Sequence, residues 1–307
     1  MKDEPLVSVV IPTHNRREKL KRLLNSVLKS SYRNIEIIVI DDASTDGTYE
    51  EVKERYPSVK IFRNKKERLL AGSRNIGILK STGDLIFLID DDNVITKETL
   101  NELVRMMNKD ATVGVAGPVM YYLGDPSRVW CGGVKINYVT SRTFFLEWNK
   151  RHVNFDQILE SDTFPNAFMI RRSVVDKVGL FDEVNFKIHY DEADFCNRVR
   201  QAGFRIVLCP TAKVWHDIPL PEEVKDRCRL LGCNNALRAY YCGRNRIIFH
   251  RKYSKWWQFL IFILVFNWLF MLYYLRVILL DFQKSVKERL TIGKSYLKGV
   301  WKGLVWR

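Results

Sequence analysis

Apolar residues along this chain come in short runs separated by longer amphipathic stretches. Val7 to Ile11 is a β-branched run of strand length, and Ile35 to Ile40 and Val59 to Phe62 read the same way. So do Asp84 to Ile89 and Val113 to Val119. The segments between them carry a helical period. In REKLKRLLNSVLKSS, Leu20, Leu23, Leu24, Val27 and Leu28 share one face. YEEVKERY predicts a second helix capped by Ser44 or Thr45. LLAGSRNIGILKSTG predicts a third, stopped by Gly83, and TKETLNELVRMMNKD a fourth. Strands apolar on both faces that alternate with helices predict an α/β fold, with a mostly parallel sheet flanked by helices. Ligands of such sheets bind beyond the carboxyl ends of the strands. There the chain carries Thr13 with Asn15, Asp41 with Asp42, and Asp90 to Asp92.

The pattern loosens from Gly124 to about Asp162, where aromatic and polar residues mix. It returns in FPNAFMIRRSVVDKVGLFDE and in HYDEADFCNRVRQAGFRIVLCP, a helix followed by a strand, and AKVWHD then brings His216. The last part differs in kind. Trp256 to Leu275 is a 20-residue run in which only Gln258 and Asn267 are polar, long enough to cross a bilayer as a helix. Tryptophans and tyrosines stand at its ends, and the tail after it mixes Trp and Leu with evenly placed Lys and Arg, as an interfacial helix does. The expected division is a folded α/β domain over residues 1–250 and a membrane-associated region over 251–307.

Charge sharpens this division. The chain carries a formal +15, and residues 227–307 hold 16 Lys and Arg against 2 Asp and Glu. Basic residues wrapped around an apolar segment point to anionic lipid, and no nucleic-acid-binding motif is present. Positive charge flanks the apolar run on both sides, so a crossing helix, a hairpin and an in-plane helix all remain open. The six cysteines show no C-x-x-C pair, and the opening MKDEPLVSVVIPTHNR has no secretory pattern. Reduced thiols and cytoplasmic placement are expected.

Three adjacent carboxylates repel one another, and strand packing calls for none of them. Mg2+ or Mn2+ resolves the repulsion by taking hard oxygen ligands, often one or two carboxylates plus substrate phosphates. Neither G-x-G-x-x-G nor G-x-x-x-x-G-K-[ST] occurs. Taken together, VSVVIPTHNR, EIIVIDDASTDGT, SRNIGI, LIDDDN and DEADFCNRVRQAGF resemble glycosyltransferase family 2, inverting enzymes on a GT-A fold, over roughly residues 5 to 250. The nearest resemblance is to the rhamnosyltransferase-like branch, whose members often carry a C-terminal membrane segment.

The resemblance implies a D-x-D metal motif at Asp90 and Asp92, with Asp92 the direct ligand. Asp90 or Asp91 would contact the ribose or a metal-bound water. It further implies that Asp42 bonds the donor base, that Pro12, Thr13 and Asn15 line the nucleotide pocket, and that Arg74 approaches base and phosphates. His216 matches a late metal or diphosphate ligand. The family usually shows Glu-Asp followed by x-Asp, whereas this chain reads Asp191-Glu192-Ala193-Asp194. Glu192 takes the position of the catalytic base, with Asp191 second. Arg244 and Arg246 resemble the family's RN segment and meet phosphates or begin the interfacial basic belt.

The expectation is therefore a membrane-associated, metal-dependent hexosyltransferase on the cytoplasmic side of the cell membrane. It would move a sugar from a UDP-, GDP- or dTDP-linked donor to a glycan or lipid-linked acceptor. A sugar-phosphate nucleotidyltransferase would need a glycine-rich N-terminal loop, which IPTHNRREK lacks. A catalytically silent membrane-bound scaffold would have lost site carboxylates, and none is missing.

Overall fold

The computed structural model describes residues 4–155 and 157–306, and the chain divides into two compact units. The first takes in Met1–Lys135, Phe145–Phe181 and Phe195–Ile218; the second takes in Ile136–Phe144, Asp182–Asp194 and Pro219–Arg307.

The first unit is built on strands β1 (Val7–Thr13), β2 (Ile35–Asp41), β3 (Val59–Arg63), β4 (Leu85–Ile89) and β5 (Asn93–Ile95). Helices α1 (Arg17–Leu28), α2 (Thr48–Arg55) and α3 (Leu69–Lys80) fall between the first four, and α4 (Thr99–Lys109) follows. Then come β6 (Val113–Tyr122), β7 (Asp125–Cys131), a small ribbon of β8 (Val134–Ile136) and β9 (Thr143–Phe145), β10 (Ala167–Arg171), α5 (Arg172–Val178), α6 (Asp191–Gln201) and β11 (Arg205–His216), of which Ile136, Thr143, Phe144 and residues 191–194 are counted with the second unit. The sheet runs β3-β2-β1-β4-β10-β6-β11-β5, with β7 paired to β6.

β1 to β4 pair parallel, each reached through a helix, and β6 pairs parallel with β11. β10 lies antiparallel between β4 and β6, and β5 antiparallel to β11. A parallel neighbour needs a crossover. β10 follows the irregular stretch after β9 instead of a helix, and the sheet becomes mixed at that point. All seven residues of β1 and all five of β4 are buried, as two-sided cover requires. At Gly77 of α3 an added Cβ would meet Val10 at 2.2 Å, so only glycine lets α3 lie this close to β1.

Local details depart from expectation in three places. Leu28, at the last turn of α1, is exposed while Leu20, Leu23, Leu24 and Val27 are buried. Neither Ser44 nor Thr45 caps α2. The helix starts later, behind Gly47 in the left-handed region, and Asp46 accepts the Thr48 N–H at 3.1 Å. Gly83 does not stop α3, which ends at Lys80. Its N–H donates to Ser8 Oγ at 2.8 Å, and a Cβ there would strike the Leu6 carbonyl.

The second unit contains α7 (Arg227–Leu230) and α8 (Ala236–Tyr253). A continuous apolar helix, Trp256–Leu279, follows; it consists of α9 (Trp256–Ile261), a π-helical turn (Phe262–Phe266) and α10 (Asn267–Leu279). The last helix, α11 (Val286–Leu304), starts with the reciprocal cap of Ser285 and Glu288. Its core packs Ile247, Phe262, Tyr274, Ile278, Tyr296 and Val300. At Gly299 an added Cβ would lie 2.0 Å from the Tyr240 carbonyl, so α11 and α8 touch backbone to backbone. All six cysteines are buried free thiols.

Candidate active site

Register brings the polar strand ends together. Thr13 stands beside Asp41 where β1 meets β2, and Val10 beside Leu88 where β1 meets β4. The Asp90–Asp92 turn therefore emerges next to the loop after β1. Each of its three carboxylates has a partner of its own. Asp90 Oδ1 accepts from Arg74 Nη2 at 2.8 Å. Asp91 accepts from Thr13 Oγ1 at 2.7 Å and from Arg16 Nη1 at 3.0 Å. Asp92 Oδ2 accepts from the same Arg16 nitrogen at 2.9 Å, and its Oδ1 lies 3.4 Å from His216 Nε2. Partners of opposite charge at two sides of the turn relieve the repulsion.

These surroundings split the acids. Burial pushes the Asp91 carboxyl up to about 7; Arg16 and the Thr13 hydroxyl pull it down, and the charges of Asp92 and Asp90 push it further up. Burial acts the same way on Asp92, but the His216 hydrogen bond and the charges of His216, Arg16 and Lys19 outweigh it and hold Asp92 well below the usual range. Asp92 is thus held ionised, and Asp91 is the most deeply set of the three.

His216 arrives here through the sheet. It is the last residue of β11 and pairs with Asn93 of β5, the strand that directly follows the aspartates. The Asp217 N–H donates to the Asp92 carbonyl at 2.8 Å. Asn166 Nδ2 lies 2.9 Å from His216 Nε2, and the Trp130 ring meets the imidazole edge-on at 4.3 Å. Arg74 is fully buried, its guanidinium near the rings of Phe168 and Phe181. Its neighbour Asn75 clamps Phe181 through both backbone groups, at 3.0 and 2.9 Å.

Asp42 sits at the same edge with its carboxylate in use. It accepts from the Arg68 and Leu69 N–H groups at 2.8 Å each and from Asn64 at 2.7 Å, fixing the start of α3. Asn15, with φ of 52°, accepts the Thr45 N–H at 2.7 Å and so ties the loop after β1 to the loop after β2. Pro12 is buried within β1 opposite Ile40. Asp41 is buried too and accepts the Ser44 N–H at 3.0 Å.

Asp191 and Glu192 open α6 in the part of the chain that belongs to the second unit. His189 and Tyr190 just before them have φ of 62° and 67°, a conformation that costs a bulky residue about 1–2 kcal/mol. Residues of α8 hold this bend. The Asn245 amide donates to the Ile188 carbonyl at 2.9 Å and the His189 carbonyl at 3.1 Å. Arg244 donates to the Asn185 carbonyl at 2.6 Å. Lys252 and Tyr253 reach Asp194 at 2.5 and 2.6 Å. Arg246 is not part of a surface belt. It is buried, bonded to the Tyr274 hydroxyl at 2.7 Å and stacked over Phe270 and Tyr274.

Sequence reasoning passed over Arg16, Asn166, Trp130 and Asn245. Arg16 carried one usable signal: it is the first cation after a strand that ends beside three aspartates.

Residues 8–179 match the family model described as Glycosyl transferase family 2, more than half of the chain. The chain belongs to glycosyl transferase family 2. Among relatives of this family 2 chain is the probable glycosyltransferase YdaM of Bacillus subtilis, 27% identical over 280 residues, or 85% of this chain and 64% of that protein. Another is the Escherichia coli UDP-Glc:alpha-D-GlcNAc-diphosphoundecaprenol beta-1,3-glucosyltransferase WfgD, 33% identical over 109 residues, or 35% of this chain and 43% of that one. The chain spans from a quarter to just under two thirds of the length of the first curated relatives it matches. Among solved structures, the mannosyltransferase PcManGT of Pyrobaculum calidifontis in complex with GDP-Man and Mn2+ superposes with a TM-score of 0.61 at 15% identity, covering 98% of this chain and 88% of that one. The fold is GT-A.

The donor set at the turn suits a divalent cation. Asp92 offers an ionised oxygen and His216 a ring nitrogen across 3.4 Å, a combination that Mn2+ accepts and Mg2+ accepts through its oxygen part.

Proposed function

We propose that this family 2 chain is a metal-dependent, inverting hexosyltransferase that uses a nucleotide sugar and acts at a membrane on a glycan or lipid-linked acceptor. The observation that carries the reading is the facing pair of Asp92 and His216, set among Thr13, Arg16 and Arg74 at the carboxyl ends of the parallel strands. WfgD, named for a UDP-Glc donor and a diphosphoundecaprenol-linked acceptor, and PcManGT, solved with GDP-Man and Mn2+, support the donor class, the metal and the acceptor type. UDP-, GDP- and dTDP-sugars are the donors to test.

Asp92 and His216 would hold Mg2+ or Mn2+, with Asp90 beside them. A bound divalent ion supplies positive charge for the departing nucleoside diphosphate. Pro12, Thr13, Asn15, Asp42 and Arg74 would line the nucleotide pocket, and Asp90 or Asp91 would contact the ribose or a metal-bound water. Glu192, or Asp191 in its place, takes the proton of an acceptor hydroxyl. The acceptor oxygen bonds to the anomeric carbon as the bond to the diphosphate breaks, from the opposite face, and the configuration inverts. The proton ends on the carboxylate and the electron pair on the leaving diphosphate.

Residues 1–250 form the catalytic domain in this reading, and 251–307 the membrane-associated region. The apolar helix Trp256–Leu279, with 22% of its most apolar window buried, supports attachment to the cell membrane. Nucleotide sugars place the catalytic domain on the cytoplasmic side.

The test presents the purified chain in detergent with a donor panel and Mn2+ or Mg2+, beside Asp92→Ala and Glu192→Gln. Metal-dependent nucleotide release from one donor, lost in both variants, supports the reading. Absence of donor binding with metal present overturns it in favour of a silent scaffold.

A further inference from the structure

In the second unit α8, the apolar helix and α11 share one apolar core. At one end Tyr274 stacks on Tyr296 at 5.3 Å, and Gly293 faces Leu275 and Ile278. At the other end Phe262 stacks on His250 at 4.3 Å, and Arg251 donates to the Leu304 carbonyl at 3.0 Å. α11 therefore packs on α10 from Ile278 back to Tyr274, and its Val300 and Leu304 share one apolar cluster with Phe270 and Phe266. Along that length it exposes Lys294, Lys298 and Lys302, one per turn.

This packing fixes what a membrane can do with the unit. If Trp256–Leu279 stood across a bilayer, α11 would stand with it and carry its lysines through the hydrocarbon. Intramembrane cations are tolerated only where they face protein or water, and these three face outward. We propose that the apolar helix lies in the plane of one anionic leaflet with α11 beside it, and does not cross. The proposal rests on the membrane attachment argued above and specifies its geometry.

The surface has the form an interface requires. Trp256, at the start of the segment, and Phe282, three residues past its end, are 79% and 80% exposed, and Leu264, Trp268 and Leu272 are exposed between them. On α11 the exposed apolar residues Val286, Leu290, Leu297 and Trp301 adjoin the flank of Gly293, which faces α10. The lysines lie on the other flank, towards Ser295, whose hydroxyl donates to the Ala236 carbonyl of α8 at 2.7 Å. The apolar faces of the two helices are thus continuous, and a lysine row borders them. Burial of that face in acyl chains removes a large exposed apolar surface, and the lysines extend to acidic head groups.

The experiment uses the full chain with single cysteines introduced at Trp256, Leu264, Leu272 and Leu279, each labelled with an environment-sensitive fluorophore. The six native thiols are buried and leave these positions the reactive ones. Labelled proteins that retain the parent melting temperature are mixed with phosphatidylcholine vesicles, with and without phosphatidylglycerol, and quenched by lipids spin-labelled at graded depths. The in-plane geometry gives one shallow depth at all four positions, and binding about ten-fold tighter with the anionic lipid. A depth that passes through the bilayer centre, with Trp256 and Leu279 near opposite faces, overturns it and leaves attachment standing. Failure to bind either vesicle overturns attachment as well.

Discussion

His216 Nε2 lies 3.4 Å from Asp92 Oδ1 because β11 and β5 pair with His216 opposite Asn93. The contact is made by strand register and not by a flexible loop, so the two groups are already in place before any ligand arrives. Replacement of His216 by alanine is expected to weaken Mn2+ binding in the presence of nucleoside diphosphate by about 10–100-fold. Titration of Mn2+ by paramagnetic resonance reads this directly. Equal affinity in the variant would remove His216 from the site.

Arg16 serves two carboxylates at once, at 3.0 and 2.9 Å, while its own side chain is half exposed. Arg16→Ala leaves Asp91 buried without its cation. The metal-free variant should lose roughly 1–2 kcal/mol of stability, discounted for solvent at the arginine. A divalent ion then replaces the missing charge, so added Mn2+ should raise the melting temperature of Arg16→Ala by more than it raises that of the parent chain. An identical increment in both would separate Arg16 from the proposed metal site.

The Asn245 amide holds the carbonyls of Ile188 and His189, at the left-handed bend just before α6. Asn245→Leu removes these two hydrogen bonds and the one its Oδ1 accepts from Arg244, and is expected to cost about 2 kcal/mol. With Glu192 or Asp191 as base, kcat should fall about ten-fold while the KM for donor stays constant, because the residues proposed to bind the donor lie elsewhere in the chain. A raised donor KM with unchanged kcat would contradict this positioning role.

Two histidines of the second unit should govern its acid stability. Burial, with the charge of Arg238 added, holds His189 down to about 4 against the opposing charge of Glu192; burial and Arg246 hold His250 down to about 3. Both rings are neutral when folded, while the unfolded chain takes up a proton below about 6.5. Stability is therefore complete above pH 6.5 and declines as pH falls towards 4, by about 1.4 kcal/mol per pH unit for each histidine. Urea titrations across that range would measure the slope, which His189→Asn should reduce by about half.

The strands were readable because two-sided burial leaves an uninterrupted apolar run, as in Val7 to Ile11 and Leu85 to Ile89. The acidic turn was readable because nothing in a strand end calls for three carboxylates. Caps were harder. Ser44 looked like the cap of α2, yet its hydroxyl accepts the Asn15 N–H at 2.9 Å across the gap between two loops, a choice that no local preference reveals. Arg246 looked like a surface charge because its fully buried surroundings come from α10 and α11, far along the chain.

By itself the sequence determined the α/β alternation, the family motifs, the carboxylates at the strand ends and the apolar and basic character of the C-terminal region. Those properties follow from local period and composition. Tertiary structure alone decided which aspartate meets His216, that one arginine serves two acids, and that α11 packs against α10. Each of these depends on strand register or on helix packing between residues distant in sequence, and such pairings leave no periodic trace in the chain.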